Sequence, residues 1–227
     1  MLIWVASFPR SGNTFLRIVL NRRYGVPTSV VYDYDGVADR VGGELIGYVD
    51  RPAALAAAEP HFVKTHGPRD ESVDPADHAI CLVRDGRDAL VSWARMLTEK
   101  DPASFPTVLR QLIEDTGARS SGSWGANVLS WLQPPAPHRA MLSYAELIAD
   151  PAAAVDRVMA VVAPALRPDE DAAIPTFDEL RQVDAGFFRR GTVGSHRDEF
   201  PPDLHELFWS RPDNRAAMEL LGAFPTS

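Results

Sequence analysis

The segment FPRSGNT, residues 8–14, constrains the fold more than any other stretch of this 227-residue chain. It lies between two apolar runs, LIWVAS (residues 2–7) and FLRIVL (residues 15–20). The first run is too short and too continuous for an amphipathic helix, so it predicts a buried strand. The apolar spacing from Asn13 to about Tyr24 predicts a helix. A polar loop between a strand and a helix favours a bound phosphate or sulfate, because unpaired backbone N–H groups and the helix dipole meet there.

The residue types inside this loop suit an anion. Gly12 allows a close approach of the backbone, and Arg10 brings a fixed positive charge. Three further residues offer side-chain donors: Ser11, Asn13 and Thr14. The Gly-Lys-Ser/Thr ending of a nucleoside triphosphate loop is missing, because Asn13 follows Gly12. The loop alone therefore predicts an anion site, with a plain polar turn as the alternative.

Strands alternate with helices along the rest of the chain. Further strands are predicted at HFVKT (61–65), HAICLVR (78–84) and within RAMLSYAEL (139–147). Helices are predicted near residues 52–58, 88–97, 104–115, 122–132 and 151–162, and the last third is expected to hold short helices and loops. This alternation predicts an α/β fold, a single domain over residues 1–227 with a central parallel sheet flanked by helices. Ligands of such folds bind at the carboxyl ends of the strands, where the motifs below fall.

Composition excludes several classes of protein. A net charge of −8 argues against non-specific binding of nucleic acid. The single cysteine, Cys81, excludes a disulfide framework, and its apolar surroundings predict a buried structural thiol. No apolar run is long enough to span a bilayer, and no basic stretch precedes a long apolar core near the start. We therefore expect a cytoplasmic protein without a membrane span.

The chain has only two lysines, and one of them, Lys64, lies two residues before His66 in HFVKTHGP. Side chains two residues apart point to the same side of an extended strand. A neighbouring cation favours the neutral imidazole, which can take a proton from a hydroxyl near neutral pH. The pair predicts a general base at His66, with a surface lysine and a loop histidine as the alternative.

A second anion segment is CLVRDGRDALVSW, which puts Arg84 at a strand end and Ser92 about two turns into the next helix. Both reach one phosphate if the loop folds back. Asp85 or Asp88 is expected to cap that helix. Arg87 either joins the anion or pairs with one of these two aspartates.

A third anion segment is FFRRGTVGSHR, residues 187–197. The adjacent Arg189 and Arg190 can make bidentate contacts to phosphate, and the two glycines that follow allow the backbone to wrap an anion. His196 in the same segment is a further candidate contact to a ligand.

Together these segments resemble the sulfotransferase family whose sulfuryl donor is 3′-phosphoadenosine 5′-phosphosulfate (PAPS) and whose nucleotide product is PAP. SFPRSGNTFLR is similar to the 5′-phosphosulfate loop of that family, and FVKTHGP is similar to the segment with its catalytic histidine. LVRDGRDALVSW and RRGTVGSHR are similar to its two 3′-phosphate segments, and LSYAELIADP to its tyrosine segment. The matches occur in family order from residue 6 to about residue 200. The resemblance implies a bacterial-like member of the cytosolic type, with a P-loop-like strand–loop–helix and no metal.

The resemblance also implies a role for each matching residue. The 5′-phosphosulfate would be held by Arg10, Ser11, Gly12, Asn13 and Thr14. The 3′-phosphate would be held by Arg84, Ser92, Arg189, Arg190 and Gly191. The adenine would stack on Phe15 and Phe177 and hydrogen-bond to Tyr144. The catalytic residues would be His66 as base, with Lys64 and Arg10.

Arg10 departs from the family pattern, because many relatives have lysine at its place. Arginine does not give up a proton in proteins. We therefore expect Arg10 to act only through its charge and Lys64 to be the candidate for donating a proton. The third anion segment, residues 187–197, is called the late loop. It ends in GSHR where relatives often have an acid and an aromatic, so the resemblance assigns no contact to Ser195, His196 or Arg197.

Two other functions stay open on the sequence. A P-loop-type kinase or another nucleotide-dependent phosphotransferase would use Asp85 and Asp88 as magnesium carboxylates but lacks the loop lysine. A nucleotide-binding module without catalysis would bind the nucleotide without using His66.

The acceptor is expected to be a small molecule with a hydroxyl or an amine. Its walls are predicted within residues 28–60 and 93–125, whose aromatic side chains favour an apolar or aromatic compound. The aromatics in question are Tyr32, Tyr34, Tyr48, Trp93, Phe105 and Trp124. The chain is short for the family, so the pocket is expected to be open or to be completed by a second copy in a homodimer.

Overall fold

The computed structural model describes residues 1–32, 36–50, 60–115, 119–189 and 191–222. Its strands are β1 (Leu2–Ser7), β2 (Thr28–Val30), β3 (His61–Thr65), β4 (His78–Val83) and β5 (Arg139–Ser143). They form one parallel sheet in the order β2-β3-β1-β4-β5. The prediction of an α/β fold with a central parallel sheet is confirmed.

The central position of β1 explains why its sequence is an uninterrupted apolar run. It pairs with β3 on one side, where Val5 lies opposite Lys64, and with β4 on the other, where Ser7 lies opposite Leu82. Both faces of the strand are covered, so every residue from Ile3 onward is buried. The loops that follow β1, β3 and β4 leave the same edge of the sheet, and the chain crosses over β1 between β3 and β4. This is where parallel sheets bind ligands.

The helices cover both faces of the sheet. They are α1 (Asn13–Tyr24), α2 (Gly36–Val41), α3 (Gly86–Leu97), α4 (Phe105–Glu114), α5 (Trp124–Leu132), α6 (Tyr144–Ala149), α7 (Pro151–Val162), α8 (Phe177–Val183), α9 (Pro202–Ser210) and α10 (Pro212–Leu220). Short 3₁₀ helices cover Pro102–Ser104 and Ser195–Asp198. Asp85 caps α3, because its side chain accepts a hydrogen bond from the Arg87 N–H at 2.9 Å.

Three apolar cores among the described residues hold these layers together. One lies between the sheet, α1 and α7 and includes Leu16 and Val158, and a second joins α3, α4, α5 and α9 around Leu90 and Phe208. The third packs Trp131 of α5 against the strands β1, β3 and β4. Cys81 is 2% exposed, and burial raises the pKa of its thiol to about 12, as expected for a structural thiol. Within the described ranges, no helix combines the length and the apolar character needed to cross a membrane.

The sequence located most of these elements. The strands at residues 2–7, 61–65, 78–83 and 139–143 and the helices at Asn13–Tyr24 and Pro151–Val162 are confirmed. Both β2 and α2 lie between residues 28 and 60, where the sequence predicted only a helix near residues 52–58. The helix predicted near residues 52–58 falls outside the described residues.

Candidate active site

A cavity of about 680 Å³ collects residues from all the predicted motifs. Its volume is typical of pockets that bind small ligands. Residues predicted to bind the donor or to act in catalysis contribute to its lining as follows: Arg10, Gly12, Asn13, Thr14, Phe15, Lys64, His66, Arg84, Ser92, Tyr144, Phe177, Arg189 and Gly191. Ser11 is buried behind the lining, and Arg190 lies outside the described residues. The folded chain therefore brings sequence-distant motifs to one place.

The loop after β1 has a backbone that needs glycine at position 12. Gly12 has φ 101°, and a Cβ atom there would lie 2.7 Å from Cδ2 of Tyr144. Asn13 ties the loop to β1 by donating to the Val5 carbonyl at 3.2 Å and to the Ser7 hydroxyl at 3.0 Å. The Ser11 hydroxyl is buried and has no hydrogen-bond partner among the described residues, which suits a group that awaits a ligand.

Arg10 extends from this loop towards α3 and the late loop. Its Nε donates to Ser92 Oγ at 3.3 Å, one Nη donates to the Phe187 carbonyl at 2.9 Å, and the guanidinium lies 4.5 Å from the centre of the Phe187 ring. Burial, together with the charges of Arg84, Arg40 and Arg189, lowers the pKa of Arg10 to about 10. The Arg10 side chain thus joins the cluster predicted to hold the 3′-phosphate, where a bound anion would relieve the repulsion between cations.

Arg84 links the two predicted anion segments. One Nη donates to the Arg10 carbonyl at 3.0 Å, the other donates to the Thr192 carbonyl at 3.3 Å, and the guanidinium lies 4.3 Å from the centre of the Tyr144 ring. Its Nε is buried without a hydrogen bond and lies 4.0 Å from a carboxylate oxygen of Asp88. Arg84 is thereby fixed between the first loop and the late loop.

The late loop contributes Arg189 and Gly191. Arg189 donates to Glu199 at 3.0 Å, which holds its guanidinium at the cavity wall. Gly191 has φ 62°, and a Cβ atom there would lie 2.5 Å from the Phe177 ring. His196, expected from sequence as a candidate ligand contact, is instead buried, and its Nδ1 lies 2.7 Å from the Asp88 carboxylate.

His66 is held in one orientation and one tautomer. Its Nδ1 lies 2.8 Å from the Ser7 carbonyl, which can only accept, and 3.3 Å from the Ser7 hydroxyl, so the shorter contact favours a proton on Nδ1 and a lone pair on Nε2. The Tyr32 hydroxyl accepts from the His66 backbone N–H at 2.5 Å, and Asn127 donates to the His66 carbonyl at 2.9 Å. The backbone is fixed on both sides of the ring, as a positioned base requires.

Lys64 and His66 both line the cavity, as expected for two residues on the same side of an extended strand. Lys64 is the next-to-last residue of β3 and is almost completely buried, at 4% exposure. Its Nζ lies 5.7 Å from the centre of the Tyr32 ring, within the range of a cation–π contact. Tyr32 therefore touches both residues of the pair.

The two phenylalanines predicted to stack on adenine contact each other. The Phe15 and Phe177 ring centres are 5.1 Å apart with the planes tilted by 57°. Both rings line the cavity, and Phe177 also packs against Phe188 at 6.4 Å. A base that stacks on both would have to separate them.

The predicted acceptor wall is only partly correct. Tyr32 and Trp93 line the cavity, whereas Phe105 and Trp124 are 4% and 1% exposed and belong to the core between α3, α4, α5 and α9. Trp124 packs closely on Gly86, because a Cβ atom built at Gly86 would lie 2.5 Å from the Trp124 ring.

Other residues complete or leave the predicted wall. Tyr48 packs against the core between the sheet, α1 and α7, and Tyr34 lies outside the described residues. The sequence analysis did not assign several apolar or cationic side chains that also line the cavity, among them Val37, Arg40, Met96 and Arg119.

The aspartates that a kinase would need for magnesium have other partners. Asp85 binds the Arg87 guanidinium at 2.7 Å, which answers the open question about Arg87. Asp88 accepts hydrogen bonds from Gly194 and His196. Among the residues that the structure describes, no three or more histidine, cysteine or acidic side chains form a group suited to a metal.

A parallel sheet with a strand–loop–helix junction suited to one anion, and a cationic cluster suited to a second, is the arrangement expected of an α/β enzyme whose nucleotide has two separate phosphate groups. The chain belongs to the sulfotransferase family, because the family model described as "Sulfotransferase domain" matches residues 2–211. The prediction of a PAPS-dependent sulfotransferase is thus confirmed at the level of the family.

Solved structures support the fold. Mouse sulfotransferase SULT7A1 complexed with PAP matches with a TM-score of 0.62 and 17% identity, over 96% of this chain and 88% of that one. Retinol dehydratase in complex with androsterone and inactive cofactor PAP matches with a TM-score of 0.57 and 17% identity, over 96% and 80% of the two chains. The comparison with curated protein sequences gave no match.

Proposed function

We propose that this protein transfers the sulfuryl group of PAPS to the hydroxyl of a small acceptor, with His66 as the general base. The observation that carries the proposal is the contact of 2.8 Å between His66 Nδ1 and the Ser7 carbonyl. It sets the tautomer in which Nε2 can accept a proton. The same histidine lines the cavity that also contains the anion loop and the arginine cluster.

Several features of the cavity fit the donor. The orphaned Ser11 hydroxyl and the backbone at Gly12, which lines the cavity, suit the 5′-phosphosulfate. The orphaned Arg84 Nε and the cations next to it suit a second phosphate, which adenosine 5′-phosphate lacks. Two structures of similar fold, mouse SULT7A1 and the retinol dehydratase, are complexes with PAP.

In the proposed reaction, His66 Nε2 takes the proton of the acceptor hydroxyl. The acceptor oxygen bonds to sulfur as the bond between sulfur and the 5′-phosphate oxygen breaks, so negative charge grows on that phosphate. Lys64 and the N–H groups of the anion loop stabilise this charge, and one such donor is worth about 10²–10³ in rate. Arg10 adds to the positive potential from the side of Ser92. A positioned base contributes about 10²–10⁴.

The wall near His66 favours an apolar or aromatic alcohol. Four of its side chains present ring or aliphatic surface: Tyr32, Val37, Trp93 and Met96. Trp93 is held edge-on by Phe8, with ring centres 5.3 Å apart, so it offers a fixed flat surface. The small-molecule acceptor class is supported by androsterone in the retinol dehydratase complex. A hydroxyl fits better than a cationic amine, because the residues that the structure describes around the cavity include six Lys or Arg side chains and no carboxylate.

Titration with two nucleotides tests the donor assignment. PAP is expected to bind much more tightly than adenosine 5′-phosphate, and to do so with a chelator present, because the arginine cluster recognises the second phosphate without a metal. Equal affinities would overturn the proposal, and magnesium-dependent turnover of ATP would favour the kinase instead. The domain extent of 1–227, the cytoplasmic location and a homodimer stay predictions.

A further inference from the structure

The late loop is fastened to α3 by a single buried carboxylate. Asp88 is completely buried, and four donors converge on it from Gly194, Ser195 and His196. One oxygen accepts from the Gly194 N–H at 2.8 Å. The other accepts from the His196 N–H at 2.8 Å, from His196 Nδ1 at 2.7 Å and from the Ser195 hydroxyl at 3.3 Å.

Asp88 acts as the N-terminal cap of a helix that lies far from it in the sequence. The 3₁₀ helix Ser195–Asp198 begins after Gly194, which has φ 78°, and has no cap from its own neighbours. Asp88 satisfies the N–H groups at its start, although it lies 106 residues earlier in the chain.

The charge on Asp88 is secure. Burial by itself raises the pKa of this carboxyl, but the His196 side chain, the backbone N–H groups and the positive charge of Arg84 outweigh burial and hold the pKa at about 2. The carboxylate is therefore ionised at any pH at which the enzyme works, and its hydrogen bonds are charge-assisted.

The same carboxylate also faces the residue predicted to hold the 3′-phosphate. Arg84 Nε lies 4.0 Å from the oxygen that accepts from Gly194, and an Arg84 Nη donates to the carbonyl of Thr192, two residues earlier in the loop. Asp88 thus fixes both sides of the gap in which a phosphate would sit, namely Arg84, which directly follows β4, and the loop that carries Gly191.

We propose that Asp88, together with His196, is the positioning element that sets the preference of the donor site for a 3′-phosphate. Asp88 does not touch the nucleotide; it acts through Arg84 and the late loop. This inference rests on the proposed function, since it concerns the same nucleotide site.

Asp88→Asn is the most informative variant, because it keeps the shape and removes the charge. The oxygen that receives three donors would stay an oxygen, so the new amide group would face the Gly194 N–H and Arg84, which are themselves donors. The N–H groups of this amide would then face two other hydrogen-bond donors, the Gly194 N–H and Arg84 Nε. The loop should then loosen around its glycines while the anion loop after β1 stays intact.

The experiment measures the ratio of the affinities for PAP and for adenosine 5′-phosphate by calorimetry. Asp88→Asn should reduce this ratio about tenfold, as expected for the loss of one hydrogen bond to a charged group. The affinity for adenosine 5′-phosphate itself should change little. A merely structural role would lower the melting temperature and leave the ratio at its wild-type value.

Asp85→Asn is the matched control. It makes the same chemical change three residues earlier and breaks the pair with Arg87, but it leaves the late loop alone. Its ratio should equal that of the wild type. His196→Phe is the second variant: it keeps a ring against Phe200, removes the Nδ1 donor and should lower the ratio by a smaller factor.

A folded Asp88→Asn variant with the wild-type ratio would overturn the inference. If that variant did not fold, an unchanged ratio in His196→Phe would overturn it. Failure of the proposed function would look different, because the wild type itself would then show no preference for PAP.

Discussion

Replacing Gly12 by alanine tests how the anion loop is built. Gly12 has φ 101°, a conformation that costs a residue with a Cβ atom about 1–2 kcal/mol. The new Cβ would also lie 2.7 Å and 2.9 Å from two ring carbons of Tyr144, and such overpacking costs about 1–3 kcal/mol. The expected loss in the free energy of unfolding is therefore about 2–5 kcal/mol. Because the displaced ring supports the Arg84 guanidinium at 4.3 Å, PAP should also bind more weakly.

Gly25→Ala is the control for the backbone term. Gly25 ends α1 with φ 60°, but nothing lies within 4 Å of a Cβ atom built there. This variant should lose only the backbone cost of about 1–2 kcal/mol and should bind PAP normally. Urea denaturation and PAP titration of both variants make the comparison. Equal losses of stability and unchanged PAP binding in Gly12→Ala would refute the contact with Tyr144.

Other predictions concern the base and the buried carboxylate. Tyr32→Phe removes the hydroxyl that accepts from the His66 backbone N–H. In steady-state kinetics this variant should have a kcat about tenfold lower, with its affinity for PAP unchanged. An unaltered kcat would show that Tyr32 does not position the base. The pKa of Asp88 is about 2 in the folded protein, below the ordinary value of 3.8. The ionised carboxylate therefore stabilises the fold above about pH 4, and this stabilisation is lost as the pH falls towards 2. In urea denaturation across that range, Asp88→Asn should lose less stability on acidification than the wild type does, and identical acid dependence would contradict the shifted pKa.

The sequence predicted the strand–loop–helix junction around FPRSGNT well because the evidence for it is local. The strand before it, the glycine and the helix after it follow within residues 2–24, and backbone physics at one strand–helix junction is enough to identify them. By contrast, β2 has three residues and α2 has six, too few for a period to show.

The errors at the site have a common physical cause. Phe105 and Trp124 each begin a helix whose buried face enters a core, and composition cannot tell a core aromatic from a pocket aromatic. Asp88 was expected as a helix cap, as a partner of Arg87 or, in the kinase alternative, as a magnesium carboxylate. Its real partners lie more than 100 residues away, and only the folded chain brings them together.

The direction of the Arg10 side chain was equally out of reach of the sequence. Its neighbours in the chain suggested a role at the 5′-phosphosulfate, yet its contacts are with Ser92 and the Phe187 carbonyl. Lys64 lines the cavity, whereas Arg10 is directed towards Ser92. This agrees with the proposal that Lys64 and the loop amides neutralise the leaving phosphate.

Sulfuryl transfer itself is the most direct test of the central claim. The protein would be incubated with ³⁵S-labelled PAPS and a panel of phenols and apolar alcohols in the presence of a chelator, and labelled products would be separated and identified by mass spectrometry. The wild type should label at least one hydroxyl compound, and His66→Ala should do so about 10²–10⁴ times more slowly while it binds PAP normally. His61→Ala, at the other end of β3, should match the wild type. Transfer by His66→Ala at the wild-type rate would contradict the assignment of the base, and a wild type that binds neither PAPS nor PAP would contradict the function.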